Sequence, residues 1–280
     1  MTPTTPSPDA PNGISRKTLL RAAVAAGAAV PLLATGGIAL ARDAVRSGDG
    51  RTLTPTPYCG TGGGLTREQM EGPYFKPNSP LRDNLTSAGK PGTPLTISGF
   101  VFGRNCVPLA NVLLDFWQAD NGGNYDNVGF TFRGHQFTDA NGAYKLTTIV
   151  PGLYPGRTRH MHVKLQAPGQ RILTTQTYFP GEPRNSTDTI YDPALLMNVR
   201  TVGSGKEATF DFVLNVDGKP GGGSTTPTPT DPPTGTWKVG TAYTAGNSVT
   251  YNGSSYVCLQ AHTAINGWEP PNVPALWRKA

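Results

Sequence analysis

Short runs in which apolar and polar residues alternate recur through the middle of the chain, and turn-forming residues separate them. The clearest runs are residues 95–102, 112–117, 143–149, 160–165 and 208–214. Dipeptides such as Asn141-Gly142 and Pro151-Gly152 lie between them and are typical of tight turns. A period of two places every second side chain on the same face of a strand. We therefore predict an all-β protein, with an antiparallel β-sandwich as its larger domain and a small C-terminal β module.

The composition supports this fold class and marks the domain boundaries. The 280 residues include 35 glycines and 27 prolines, and only 15% are charged, which favours short strands and many turns. We assign residues 42–64 to a turn-rich lead-in, residues 65–218 to the β-sandwich and residues 236–280 to the module. Residues 219–235 are rich in glycine, proline and threonine, and they predict a linker that holds the two folded units apart.

The first 41 residues contain, in order, a basic segment, an apolar stretch and a small-residue cleavage site, as an export signal does. The segment resembles a twin-arginine signal with Lys17 at the second arginine position, and the general secretory route is the alternative. Residues 22–41 could instead anchor the chain in a membrane, but Pro31 and the many alanines and glycines make a poor span. We expect cleavage near Ala41 and a secreted, extracellular protein with no stable membrane anchor.

The formal net charge of +6 is unevenly distributed along the chain. Residues 1–41 hold Arg16, Lys17 and Arg21 against Asp9, which places +2 of the total in the export signal. No basic run interleaved with aromatic residues occurs elsewhere in the sequence. We therefore do not expect nucleic acid among the partners.

The middle domain contains a histidine pair with one residue between its members. In a strand, His160 and His162 would point to the same face, with Cα atoms roughly 6.5–7 Å apart. Such a pair can share a metal ion, or it can form a polar patch on a solvated sheet. Tyr154 lies shortly upstream, and neither a neighbouring cysteine nor a His-Glu-x-x-His motif points to the usual zinc sites. A phenolate oxygen suits a highly charged cation such as ferric iron.

With their neighbours, these residues resemble the intradiol ring-cleavage dioxygenases. The resemblance runs from about Cys59 to Phe212, and the order and spacing of its motifs make it specific. The motifs are Glu71-Gly-Pro-Tyr-Phe75, Gly99, Pro108, residues 114–125, residues 132–142, residues 148–154, Arg157, His160-x-His162 and residues 176–181.

The resemblance implies a site for one non-haem Fe(III) per chain and cleavage of catechols, lignin-related aromatics among them, by O2 to cis,cis-muconates. The iron ligands it implies are Tyr125, Tyr154, His160 and His162. Arg157 matches the family arginine beside the substrate ring, and Tyr154 matches the ligand that substrate displaces and that serves as a base. We expect three further residues to line the substrate pocket: Tyr74, Asp120 and Gln176.

The remaining cysteines, histidines and tryptophans of the middle domain have structural interpretations. An oxidising compartment would allow a Cys59–Cys106 disulfide that pins the incoming segment to the first strands. Trp117 alternates with Leu114 and Phe116 and is predicted to lie in the core. His135 is predicted to be a surface histidine or one that supports a ligand, rather than a ligand itself.

The tail resembles the small chitin- and cellulose-binding modules of secreted bacterial glycoside hydrolases. The matching segments are Trp237, residues 242–246, residues 249–253, Tyr256, Cys258, residues 262–263, residues 267–270 and residues 274–277. An exposed aromatic ring can stack on sugars, and Trp268 is the candidate carbohydrate-binding residue. Trp237 and Trp277 are predicted to close the core of the module, and the alternative is that all three tryptophans do so. Chitin, cellulose or lignin-containing biomass would be the polymeric partner.

Two other functions are compatible with these residues. The sandwich could be a non-catalytic domain, with the chitin- or cellulose-binding module as the functional part. The same cluster could instead hold copper or zinc in a hydrolase, although no general base is evident. Retention of all four implied ligands together with Arg157 favours the dioxygenase.

Overall fold

A computed structural model describes residue 59 and residues 64–86, 89–218 and 235–280. The predicted export signal, most of the lead-in and nearly all of the linker lie outside these residues. The described ranges contain fifteen strands and three short 3-10 helices, at Pro183–Ser186, Pro193–Leu195 and Pro270–Asn272. None of the helices in these ranges has the length and apolar character that crossing a bilayer requires.

The larger domain consists of two β-sheets. The first has the strand order β4-β1-β8-β7, with β9 also paired to β1. Its strands are β1 Pro94–Gly103, β4 Ala143–Ile149, β7 Asn198–Val202, β8 Gly205–Thr209 and β9 Phe212–Leu214. The second sheet is antiparallel throughout, with the order β3-β2-β5-β6. Its strands are β2 Leu113–Trp117, β3 Arg133–Phe137, β5 His160–Gln166 and β6 Leu173–Tyr178.

The structure confirms the predicted β-sandwich, with one refinement of strand direction. Strands β8 and β9 run parallel to β1, so the first sheet is mixed rather than purely antiparallel. The core lies between the two sheets and includes Leu114, Phe116 and Val163. Because side chains alternate along a strand, the intervening residues of β2 and β5 lie on the other face of the second sheet, which we call the outer face.

The predicted disulfide is present and closes the N-terminal part of the domain. Cys59 is bonded to Cys106, and the two Cα atoms are 5.5 Å apart. The bond links residues 47 positions apart, so it ties the incoming segment to the turn that follows β1. A crosslink of this span stabilises the fold mainly by restricting the unfolded chain.

The C-terminal module is built from six short strands. They are β10 Gly235–Thr236, β11 Ala242–Tyr243, β12 Ser248–Tyr251, β13 Ser254–Cys258, β14 His262–Thr263 and β15 Trp277–Lys279. Strands β10, β12, β13 and β15 form one sheet, and β11 pairs with β14. Trp237 and Trp277 are buried in the apolar cluster of the module, as predicted, and Cys258 is a buried free thiol beside them.

The module packs directly against the outer face of the second sheet. The linker was predicted to hold the two units apart, and this expectation is wrong for the structure described here. Leu113 of β2 and Phe137 of β3 belong to the same apolar cluster as Trp268 of the module. Burial of this shared apolar surface is the physical reason that the units are in contact.

Because of this contact, the environments of two residues differ from those predicted. His135 was predicted to be at the surface or beside a ligand, but it is fully buried between the units. Its Nδ1 lies 2.8 Å from the Ser79 carbonyl oxygen, and its Nε2 lies 3.0 Å from the carbonyl oxygen of Ala261 in the module. Trp268 was expected to be exposed, but only 2% of its surface is accessible, because Phe137 packs against its ring.

Candidate metal and substrate site

Strand β5 presents both candidate histidines on the outer face of the second sheet. Met161 and Val163 enter the core, so the alternating His160 and His162 face the other way, as predicted. The two imidazole centroids are 4.8 Å apart. The ring of His162 also stacks on Trp117 of β2, with a centroid distance of 4.8 Å and an interplanar angle of 9°. Trp117 is buried, as expected, and it also fixes the plane of one site histidine.

The hydroxyl of Tyr125 lies within hydrogen-bonding distance of both imidazoles. Its Oη is 3.2 Å from His160 Nε2 and 3.1 Å from His162 Nε2. The Nδ1 atom of His160 donates to the carbonyl oxygen of Thr158 at 2.6 Å. That bond places the imidazole proton on Nδ1 and leaves the Nε2 lone pair directed at Tyr125. Thr158, which the sequence did not single out, thus orients a candidate ligand.

Asp120 shapes the loop that leads to Tyr125. Its Oδ1 accepts backbone hydrogen bonds from Gly122 at 2.8 Å and from Asn124 at 2.9 Å. Its carbonyl oxygen accepts a further bond from Gly152, at the start of the turn that contains Tyr154. The structure therefore gives Asp120 a part in joining the two tyrosine-bearing loops. That it also lines the substrate pocket stays a prediction.

Tyr154 lies beside this cluster and is held through a third tyrosine. Its hydroxyl is 2.9 Å from that of Tyr74, and the two rings meet edge to face. The Tyr74 ring stacks on Tyr125 with a centroid distance of 4.7 Å. The rings of Tyr125 and Tyr154 are 5.8 Å apart. All four predicted ligands therefore occupy one site, together with the pocket residue Tyr74.

Arg157 is fixed at this site by a carboxylate and an amide. Its Nε donates to Asp188 Oδ2 at 2.8 Å, and its Nη2 donates to Gln176 Oε1 at 2.7 Å. The same Asp188 oxygen accepts the backbone N–H of Thr158, two residues before His160. Gln176 is fully buried and donates in turn to the Met70 carbonyl oxygen. Asp188 is a supporting residue that no sequence motif indicated, because it lies in a loop far along the chain.

Burial governs the protonation of the candidate ligands. It lowers the pKa of His160 to about 4, with the charge of Arg157 as a smaller cause. Burial also lowers the pKa of His162 well below its usual value, and the neighbouring His160, Arg157 and Arg133 lower it further. Both imidazoles are therefore neutral near pH 7, as metal ligands must be. Burial raises the pKa of the Tyr125 phenol, so ionisation of that phenol requires a nearby cation.

The donor atoms fit a ferric ion. Two neutral imidazole nitrogens converge on one phenol oxygen, and a second phenol lies beside them. Two phenolates would offset two of the three positive charges of Fe(III), and the buried setting would favour their ionisation once the cation is bound. The ring stacking of His162 and the Thr158 bond to His160 hold the donors in place before metal arrives.

The family comparison agrees with this geometry. Residues 70–216, just over half of the chain, match the family profile described as Dioxygenase. The match contains all four candidate ligands and Arg157. The chain belongs to the intradiol dioxygenases. Residues 236–278 match carbohydrate-binding module family 5/12, so this intradiol dioxygenase has a carbohydrate-binding module at its C-terminal end.

Individual relatives match either the dioxygenase domain or the module. A solved dioxygenase domain, from a dioxygenase and carbohydrate-binding protein fusion of Streptomyces sp. SirexAA-E, is 69% identical with a TM-score of 0.54. That match covers 55% of this chain and 99% of the solved one. Catechol 1,2-dioxygenase 2 of Acinetobacter lwoffii is 33% identical over 43% of this chain. Chitinase A1 of Niallia circulans is 63% identical over 18% of this chain, which corresponds to 7% of the chitinase. This chain spans about half the length of the Acinetobacter protein.

Proposed function

We propose that this protein is a secreted Fe(III) enzyme that cleaves catechols between their two hydroxyl-bearing carbons with O2, giving cis,cis-muconates, and that its module binds insoluble polysaccharide. The observation that carries the catalytic part is the Tyr125 hydroxyl, which lies 3.2 and 3.1 Å from two neutral, oriented imidazole nitrogens. A polar patch on a solvated sheet would not require these histidines to be buried.

Four side chains would hold the metal: Tyr125, Tyr154, His160 and His162. Ferric iron, when bound, would chelate a catecholate and draw electron density from its ring so that O2 can react with it. Tyr154 is half-buried at the edge of the cluster, and in the phenolate form that a bound cation would favour, its Oη would accept a proton from a catechol hydroxyl and become a neutral phenol. Tyr74 Oη, at 2.9 Å, would hydrogen-bond to Tyr154 before and after that transfer.

Arg157 would stabilise negative charge that develops on the substrate ring. Its guanidinium is a planar cation that is largely buried, so its field is little screened by water. Asp188 and Gln176 accept hydrogen bonds from Nε and Nη2 and so fix the orientation of the guanidinium. The remaining N–H groups of the guanidinium would then face substrate in a defined direction. A fixed cation of this kind lowers a reaction barrier without reorganising during the reaction.

The proposed substrate class is catechols. The similarity to a catechol 1,2-dioxygenase supports catechol itself as a first substrate, and lignin-related catechols fit an enzyme tethered to plant or other biomass. The family 5/12 match and the similarity to a chitinase support chitin or cellulose as the polymer. The predicted export signal in residues 1–41 and the Cys59–Cys106 disulfide support an extracellular location.

An absorption spectrum of the iron-loaded protein tests this proposal. We expect a visible tyrosinate-to-iron(III) band that shifts when catechol is added without O2, followed by muconate formation when O2 is admitted. Tyr125→Phe should weaken the band and the iron binding, whereas Tyr251→Phe, at a half-buried tyrosine of the module that packs on Trp237, should retain both. Absence of the band, together with absence of iron by metal analysis, would exclude the dioxygenase proposal.

A further inference from the structure

The outer face of the second sheet carries two surfaces side by side. His162 and Trp117 belong to the candidate metal site, and Lys164 and Asp115 lie one step further along the same strands. The register pairs Trp117 with His162 and Asp115 with Lys164. The module covers the second of these surfaces, because Gln260 of the module contacts Asp115 there.

The apolar part of this contact centres on Trp268. Phe137 of β3 packs against the Trp268 ring with a centroid distance of 4.9 Å. Leu113 of β2 belongs to the same buried cluster. The turn that carries Trp268 also meets the β5–β6 turn of the dioxygenase domain, where a side chain built on Gly267 would come within 3.1 Å of Pro168. The dioxygenase domain thus covers the aromatic face of the module.

The polar part of the contact is specific. Gln260 Nε2 donates to Asp115 Oδ2 at 3.1 Å, and Ser79 donates to the other carboxylate oxygen at 2.7 Å. His135 Nε2 lies 3.0 Å from the Ala261 carbonyl oxygen. Each of the residues Asp115, His135 and Gln260 is almost fully buried, so these groups have exchanged water for partners across the interface.

The burial of Trp268 leaves a polar group of its side chain unsatisfied. The indole N–H of Trp268 is buried and has no hydrogen-bond partner among the residues described. An unpartnered buried donor weakens the state that buries it. A sugar hydroxyl could accept this hydrogen bond while the sugar ring stacks on the indole, so a polysaccharide can compete with Phe137 for the same ring.

We infer that the dioxygenase domain is itself a partner of the module's Trp268 face, and that this docking competes with polysaccharide. The inference rests on the proposed polysaccharide-binding function of the module. In the docked state Trp268 is covered and the module cannot stack on a polymer. Polymer binding therefore selects an undocked state, and the apparent affinity is reduced by the fraction of molecules that are docked.

A substitution on the domain side of the contact tests the inference. Phe137→Ala removes the ring that covers Trp268 without changing the module. In the full-length, iron-loaded protein, we expect its apparent affinity for colloidal chitin, or for cellulose if cellulose is the polymer, to be about tenfold higher than that of the wild type. Phe130→Ala, a phenylalanine of the same domain that lies under Lys76, is the matched control and should bind as the wild type does. Catechol cleavage should persist in both variants and reports that the domain is folded.

A reversible crosslink tests the same point in the opposite direction. In the double variant Pro168→Cys with Gly267→Cys, the two Cβ positions are close enough for a disulfide after a shift of a few tenths of an ångström. Gly267 has a positive φ of 88°, so the substitution is strained, but the strain is present in both redox states. We expect the oxidised protein to lose polymer binding and the reduced protein to regain it. The wild type with and without reductant controls for the native disulfide.

The outcomes separate this inference from the proposed function. Equal polymer binding by the wild type, Phe137→Ala and the oxidised crosslinked protein would overturn the inference and leave the polysaccharide function intact. Absence of polymer binding in every form, including Phe137→Ala and the reduced crosslinked protein, would overturn both. Tighter binding by Phe137→Ala, with binding lost on crosslinking, is the expected result.

Discussion

The hydroxyl of Tyr74 lies 2.9 Å from the hydroxyl of Tyr154, while the Tyr74 ring stacks on Tyr125. One side chain therefore contacts both candidate tyrosine ligands, through its oxygen in one case and its ring face in the other. The hydrogen bond raises the pKa of Tyr74, and burial contributes a smaller increase. Tyr74 thus remains a neutral phenol beside a ligand that is expected to change its protonation state.

The Tyr74 hydroxyl is expected to support Tyr154 rather than the fold. Tyr74→Phe retains the ring stack on Tyr125 and removes one hydrogen bond, which is worth about 1 kcal/mol. We predict a decrease of about fivefold in kcat for catechol, a changed visible spectrum and an unchanged melting temperature. Steady-state oxygen uptake and the spectrum of the iron-loaded protein measure these effects. Identical spectra and kcat for Tyr74→Phe and the wild type would show that the hydroxyl has no such part.

Arg157 is predicted to support catalysis through the planar geometry of its guanidinium as well as through its charge. Arg157→Lys retains the charge but cannot donate to both Asp188 and Gln176 in the observed geometry. Loss of an oriented donor for developing charge reduces kcat by about 10²-fold in comparable sites. Arg159→Lys is the matched control, because Arg159 pairs with Glu182 instead. Similar kcat values for the two variants would contradict the assignment of Arg157.

The imidazole of His160 is predicted to be necessary for iron. His160→Ala should reduce bound iron from one per chain to a small fraction, because it removes an oriented Nε2 donor. His262→Ala removes a similarly buried histidine from the module and should leave the iron content unchanged. Iron per chain after loading and desalting is the measurement. Full iron content in His160→Ala would exclude His160 as a ligand.

Asp115 is predicted to make stability depend on pH. Burial raises its pKa to about 7, against the hydrogen bonds from Ser79 and Gln260 and the charges of Lys164 and Arg133, which lower it. The pKa of Asp115 is higher in the folded protein than in the unfolded protein, so protonation of this carboxyl stabilises the fold. This contribution to the free energy of unfolding is fully present below about pH 4 and declines until about pH 7. The free energy of unfolding of Asp115→Asn, minus that of the wild type, should increase between these values.

The slope of this difference should not exceed about 1.4 kcal/mol per pH unit. Urea unfolding of both proteins from pH 4 to pH 8 measures it. Burial lowers the pKa of the neighbouring His135 and of His262, so both imidazoles are neutral over the upper part of this range, where the increase reports Asp115. A difference that is flat across this range would show that Asp115 is ionised when buried.

The disulfide is predicted to contribute substantially to stability. It closes a loop of 47 residues, and the chain-entropy account gives about 4 kcal/mol for a loop of this length. Cys106→Ser should therefore lower the free energy of unfolding by about 2–4 kcal/mol, as measured by urea denaturation under oxidising conditions. Cys258→Ser, in the module, is the control for the loss of a sulfur atom from the chain. An effect of Cys106→Ser below 1 kcal/mol would contradict this prediction.

Local pattern in the sequence was sufficient for the strands, the module and most of the site. Strand alternation places His160 and His162 on one face regardless of how the sheets pack. The motifs around Tyr125, Tyr154 and Arg157 were recognisable because their residue types and spacing are specific to a family. The parallel pairing of β1 with β8 and β9 was not predictable, because strand direction depends on long connections rather than on alternation.

Contacts between distant residues were decided only by the tertiary structure. Tyr125 reaches His160 from 35 residues away, and Asp188 reaches Arg157 from 31 residues away. The docking of the module on the outer face buries Trp268 and His135, which the sequence alone predicted to be accessible or at a ligand. Periodicity reports which face of a strand is apolar or polar, but not which other surface will cover that face. That choice depends on the summed burial and hydrogen bonding of two complete surfaces, which exist only once both units have folded.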